Sequence, residues 1–324
     1  MRWTLKTAPN LSLVDELSEV LSIDKVLSSL LIQRGIHTFD QAKKFFRPSL
    51  DDLHDPFLLK DMDIAVSRIE KAIANNENIL IYGDYDVDGT TAVSLVSSYL
   101  KTITNHIATY IPDRYDEGYG ISTQGIDFAA DHDFSLIIAL DCGIKAIEKV
   151  NYASKKNIDF IICDHHKPGD KLPKAVAVLN AKREDCSYPF DELCGCGVGF
   201  KLIQALASKR GQTLEDLTQY LDLVATAIAA DIVPITGENR ILTYFGLQVI
   251  NSNPRNGIKA IIQGVKKNIL TITDVVFIIA PRINAAGRMK HGNYAVELLT
   301  EMDYETAISF AASIEKFNIE RKEI

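Results

Sequence analysis

Apolar positions recur at three- and four-residue spacing through LSLVDELSEVLSIDKVLSSLLIQRG and FDQAKKFF, which predicts helices within residues 11–76 and makes Gly35 a C-cap. DIAVSRIEKAIANN continues that pattern up to residue 76. From residue 79 the period changes. Short runs rich in Ile, Val and Leu alternate with helical stretches, the signature of βαβ units and a mostly parallel sheet. Strands are predicted at 78–84, 106–113, 135–141, 159–164 and 175–180, and helices at about 90–101, 123–130, 144–154, 199–209 and 214–230. The fold class is therefore α/β, a mostly parallel sheet flanked by helices. The expected division is a helical segment over 1–76, a sheet domain over 77–310 and the start of a connecting helix over 311–324. YETAISFAASIEKFNIERKEI is amphipathic to its last residue with no capping signal, so that helix is expected to lead into a further domain.

Composition narrows the class. The 324 residues are 47% hydrophobic with a mean hydropathy near zero, as in globular chains with a sizeable core. No stretch reaches the roughly 18 uninterrupted apolar residues of a membrane helix, and MRWTLKTAPN lacks a secretory apolar core. Five cysteines without a C-x-x-C pair suit neither a disulfide framework nor a zinc ribbon, so the expected compartment is the reducing cytoplasm. A net charge of −8 argues against a protein that coats nucleic acid by bulk charge. Contact with a polyanion would need metal ions or a local basic groove.

The chemistry sits at strand ends. Three predicted strands finish in an aspartate, Asp84, Asp141 and Asp164, and the last runs straight into His165 and His166. Ligand sites in open parallel sheets lie outside the carboxyl ends of the strands, so these residues are expected in one crevice. Clustered carboxylates repel and keep their charge only beside a cation. Each aspartate alone would serve as an ordinary helix cap. Together with Asp86 and Asp88, they form the oxygen-and-imidazole mixture of manganese or magnesium phosphoesterase sites. Asp231 follows the mostly apolar run 221–230, and its buried carboxylate would want a partner.

Asp84, Asp86, Asp88 and Gly89 match the first half of an EF-hand loop, but Leu95 stands where a bidentate Glu is required and a strand precedes the loop. Thr90 and Thr91 instead open a helix whose free N–H groups could face a phosphate. GCGVGF (195–200) reads as a turn before the helix at 199, and DRYDEGYG (113–120) as a turn that allows close backbone approach to a ligand. APRINAAGRMKHG (280–292) reads as a loop with Arg282 and Arg288 suited to gripping phosphate.

GDYDVDGTT (83–91), RYDEGYG (114–120), LDCGI (140–144), DHH (164–166), the stretch at 179–202, ATAIAADIVP (225–234) and PRINAAGRM (281–289) occur in one order along the chain. In that combination the sequence resembles the DHH phosphoesterase superfamily and, within it, the RecJ single-stranded-DNA exonucleases. The resemblance implies a two-ion site for Mn2+ or Mg2+ held by Asp84, Asp86, Asp141, His165 and Asp231. It implies that His166 faces the scissile phosphate, that Asp164 orients the histidines, and that Asp88 orders the loop or holds a water. Substrate contacts carry over onto Arg114, Tyr119, Arg282, Asn284 and Arg288.

The implied activity is 5′ to 3′ hydrolysis of single-stranded DNA in repair and recombination, with a single-strand-binding protein and a helicase as partners. A phosphodiesterase for dinucleotides or short oligonucleotides and a non-catalytic DHH binding module are the alternatives. The long N-terminal region and PRINAAGR count against the first, and the filled ligand positions count against the second. RecJ proteins continue into a DHHA1-type domain, so the 324 residues are expected to bind metal yet degrade DNA weakly.

Overall fold

The computed structural model describes residues 4–323 and divides into two compact units, Met1–Leu53 and His54–Ile324. The N-terminal unit holds helices α1 (Leu11–Leu21), α2 (Lys25–Ile32) and α3 (Phe39–Phe46). Asn10, Asp24 and Thr38 cap them through side-chain oxygens, and Gly35 turns the chain after α2 with a φ of +79°. Val14, Leu17, Leu31, Ile32, Ile36 and Ala42 form its core.

The second unit runs α4 (Met62–Ala74), β1 (Asn78–Gly83), α5 (Val87–Leu100), β2 (Ile107–Tyr110), α6 (Thr123–Asp131), β3 (Phe134–Leu140), α7 (Ile147–Lys155), β4 (Asp159–Cys163) and β5 (Ala177–Leu179). It continues through α8 (Gly195–Lys209), α9 (Leu221–Ala230), α10 (Gly237–Ser252), α11 (Asn256–Ile262), α12 (Ile272–Asp274), α13 (Ala280–Met289), α14 (Asn293–Thr300) and α15 (Tyr304–Glu323). The strands form one all-parallel sheet in the order β2-β1-β3-β4-β5. Side chains alternate across a strand. Leu80, Tyr82, Ile137, Ala139, Phe160 and Ile162 pack on one face with Ile126 and Ala129 of α6 and Val150 and Ala153 of α7. Ile79, Ile81, Ile138, Leu140 and Ile161 are buried on the other face, which α5 and α8 cover. Burial on both faces explains why the strands read as continuous apolar runs rather than alternating ones.

Five sequence readings need correction. The packing divides between Leu53 and His54, so α4 belongs with the sheet rather than with a segment ending at 76. The helix expected over 214–230 is a 3₁₀ turn at Glu215–Tyr220 followed by α9. GCGVGF is the first turn and a half of α8, with Cys194 as N-cap accepting from the Gly197 amide. APRINAAGRM is helix α13, which continues without a break from a π-helical stretch at Val275–Ile279, with Pro281 just past the junction. α15 is one unbroken helix, so the expected boundary at 310 falls inside it.

Candidate metal centre

The carboxyl ends of β1, β3 and β4 converge. Asp84 follows β1 and is buried, and Asp141 follows β3 with a φ of +59°, its amide donating to Cys163 O at 2.8 Å. That pairing carries the β3–β4 ladder one residue further and turns the Asp141 side chain out of the sheet. Asp86 caps α5 by accepting from the Gly89 amide at 3.0 Å. Asp88, two residues on, accepts from the amides of Gly195 and Cys196 at 2.6 and 2.8 Å. The N-terminus of α8 thus solvates a buried carboxylate with backbone N–H groups. A Cβ at Gly195 would lie 2.5 Å from Asp141 Cβ, so only glycine lets α8 come this close.

His165 stands at the middle. Its Nε2 is 3.2 Å from Asp141 Oδ1, 3.5 Å from Asp231 Oδ2 and 3.7 Å from Asp88 Oδ2. Asp164 works from behind: its Oδ1 accepts from the amides of His165 and His166 and from His166 Nδ1 at 2.7 Å, and its Oδ2 accepts from the Ile144 amide. His166 keeps a side chain 45% exposed and presents Nε2 outward, 3.4 Å from the Tyr119 hydroxyl.

Electrostatics match this packing. Burial, then the charge of Asp86, pushes Asp84 up to about 7. Burial pushes Asp88 and Asp231 up to about 6 each, with Asp231 acting next on Asp88 and Asp86 next on Asp231. Burial and four neighbouring carboxylates hold Asp141 well above the usual range. Burial works against the charge of Asp164 too, but the His166 ring and the amide donors outweigh it and keep that carboxyl low. His165 is lowered by burial, and His166 is raised by its bond to Asp164.

Asp84 Oδ1, Asp141 Oδ1, Asp231 Oδ2 and both ring nitrogens of His165 are buried without a hydrogen-bond partner. A buried polar atom without a partner costs free energy, and five in one crevice fit a divalent cation. Among the described residues, the donor groups close enough to share an ion are Asp141 with His165 and His166, and Asp88 with His165 and Asp231. Asp84 and Asp86 lie outside both groups, although Asp84 contributes one of the buried unpartnered oxygens.

The residues expected to contact substrate occupy two places. Arg114 lies over the Tyr85 ring at 5.0 Å, and Tyr85 meets Tyr119 edge to face at 6.4 Å, so both reach the rim through Tyr85. Arg282, Asn284 and Arg288 are carried by α13. Gly287 brings that helix against the loop after β1, where a Cβ would sit 2.2 Å from Tyr85 O. Arg288 is exposed, Asn284 is half-buried, and Arg282 is ion-paired with Glu315 at 2.6 Å. Sequence reasoning missed Tyr85 and the Gly195–Cys196 amides. The glycines of GCGVGF were the available signal, since they mark a close backbone approach, but to a carboxylate rather than a phosphate. A cavity of ≈ 320 Å³ opens beside His166 between Tyr119–Ile121 and Cys142–Ala146.

Residues 78–228 match the DHH family, N-terminal domain. Over its full length the chain is 39% identical to the single-stranded-DNA-specific exonuclease RecJ of Bacillus subtilis, of which it covers 41%. It is 34% identical to the RecJ of Dickeya dadantii, with 94% of this chain and 54% of that relative aligned. The crystal structure of RecJ in complex with Mn2+ from Thermus thermophilus superposes on 99% of this chain and 46% of that one, with a TM-score of 0.85 at 26% identity. The chain therefore spans about half the length of the relatives it matches.

Proposed function

The chain belongs to the DHH family through residues 78–228, and from that premise we propose that it is a metal-dependent nuclease hydrolysing single-stranded DNA from the 5′ end. The observation that carries the reading is the set of buried, unpartnered donors on Asp84, Asp141, Asp231 and His165. The names of its relatives support the substrate class, and the Mn2+ of the Thermus thermophilus structure supports the metal.

Asp84, Asp86, Asp141, His165 and Asp231 would hold the cations, two Mn2+ or Mg2+ ions. When bound, such ions polarise phosphate oxygens and bring the pKa of a water toward about 7. The chain's own groups do the rest. Asp164 fixes His166 Nδ1 as a donor and raises that ring's affinity for a second proton, so Nε2 can donate to a phosphate oxygen as charge develops there. Asp88, clamped by two amides, is held 3.7 Å from His165 Nε2, on the side of the ring that also faces Asp141 and Asp231. Tyr119 and Arg114 line the rim around Tyr85, and Arg288 and Asn284 of α13 would meet the phosphate path beside them, since the Tyr115 hydroxyl donates to Arg288 O. Arg282 would reach a phosphate by exchanging Glu315 for it, since both are oxyanions that a guanidinium binds in the same geometry.

DNA repair and recombination in the cytoplasm is the setting this reading assigns, with a single-strand-binding protein and a helicase as partners. No helix among the described residues is long and apolar enough to cross a membrane. The test compares 5′-labelled single-stranded DNA, duplex DNA and a dinucleotide as substrates, with Mn2+ or Mg2+, for the protein and Asp141→Ala. Cleavage of single strands that chelator and the substitution both abolish is expected. Cleavage of the dinucleotide alone, or full activity in the variant, overturns the reading.

A further inference from the structure

Helix α9 ends at Ala230 and delivers Asp231, whose amide still bonds to Ala227 O at 2.9 Å. The next residue, Ile232, has a φ of +61°. A left-handed residue just past a helix end is a common way to stop a helix, and Gly or Asn normally fills it. A β-branched side chain there is strained. Ile232 is also 92% exposed, so its side chain recovers nothing by packing on the described residues. The turn explains the conformation. It does not explain the isoleucine, because glycine would make the same turn without the strain.

Location supplies the missing reason. Ile232 is bonded to Asp231, whose Oδ2 lies 3.5 Å from His165 Nε2 in the candidate metal centre. Strained residues persist where the strain serves a function. We propose that Ile232 is an apolar contact for a nucleobase next to the scissile phosphate, and so a residue that selects unstacked single strands. Isoleucine is among the side chains that wedge against bases, and an unpaired base offers its face to such a group at small cost. A base inside a duplex has both faces covered by its neighbours. The contact rests on the nuclease reading above and adds to it a specificity element outside the ion-binding and phosphate-binding residues.

The test uses Ile232→Gly and Ile232→Leu in the full-length protein. Relief of strain raises the melting temperature of Ile232→Gly by a few degrees, while its KM for single-stranded DNA rises about tenfold, the scale of one lost base contact. kcat and Mn2+ affinity stay within about twofold, the KM change is the same at low and high salt because no charge is lost, and Ile232→Leu restores the KM. An unchanged KM in Ile232→Gly overturns the proposal, whatever happens to the melting temperature; a lower melting temperature with that KM would assign the side chain to packing under another protein segment. A KM raised equally in Ile232→Leu also overturns it. Failure of the unaltered protein to cleave single strands removes the function reading itself, whereas normal cleavage with an unchanged KM in Ile232→Gly removes only this contact.

Discussion

A carboxylate buried among others keeps its proton until a cation replaces it, and the acids of this crevice are placed to do so near neutral pH. Asp84 is pushed up to about 7, and Asp88 and Asp231 to about 6, all above their unfolded values near 4. A raised carboxyl pKa stabilises the folded state below the unfolded value, and that contribution is lost as pH rises through the folded one. The melting temperature in chelator is therefore expected to fall between pH 5 and pH 8, while Mn2+ affinity rises over the same interval. Calorimetry in buffers of different ionisation enthalpy will show protons released on binding at pH 6; no proton release would contradict the shared site. Asp141→Asn puts a neutral amide where the chelated protein already holds a protonated carboxyl, so the chelated variant should melt no lower than the unaltered protein while its metal-dependent activity drops more than about 100-fold, the upper end for loss of a mere supporting partner. Asp84, Asp141 and Asp231 stood out in the sequence because each follows a mostly apolar run. Asp88 was not separable from Asp84 and Asp86 by spacing, because its partners, Gly195 and Cys196, lie over a hundred positions away.

At the level of elements, the site depends on helices that touch it through glycine. α13 rests Gly287 on Tyr85 O, and α8 rests Gly195 on Asp141. Both segments read from sequence as loops, since Gly and Pro are the usual breakers of regular structure. What the local pattern could not contain was the close approach that demands those glycines. Gly287→Ala forces a Cβ to within 2.2 Å of a carbonyl oxygen, so α13 must move away from the loop after β1. A stability loss of about 1–3 kcal/mol, the usual range for overpacking, is expected in urea denaturation, together with a raised KM for single-stranded DNA. Unchanged stability would mean that the contact is not held in solution. Glu315→Gln tests the same helix from its other side. It frees Arg282 from its ion pair and should tighten phosphate binding at low salt. The central strands β1, β3 and β4 show the opposite case, being legible to within a residue at each end, because burial on both faces writes them as apolar runs, whereas the outer strands β2 and β5 cover only half of the predicted 106–113 and 175–180.

For the whole molecule, the division at Leu53 sets what each part can do by itself. Every residue of the candidate metal centre lies between Asp84 and Asp231, inside the sheet unit. The start of that unit is pinned from within: the Lys201 ammonium pairs with Glu238 at 2.7 Å and donates to His54 O, while Glu238 also accepts from the His54 amide and the Tyr188 hydroxyl. This ion pair is fully buried, and both partners make further hydrogen bonds, the condition under which a buried charge is tolerated. The sequence placed the boundary at 76 because α4 carries the same helical period as α1 to α3, and period does not say which core a helix joins. A chain beginning at His54 should therefore fold and bind Mn2+ with an affinity within about threefold of the longer chain, since the donor set and its supporting bonds are all retained. Metal titration and thermal melting of both chains measure this. An affinity loss beyond tenfold would mean that the pinned end is not enough to close the sheet unit, and Lys201→Met paired with Glu238→Leu would then separate that failure from the site, because the double change removes the pin while keeping every proposed ligand.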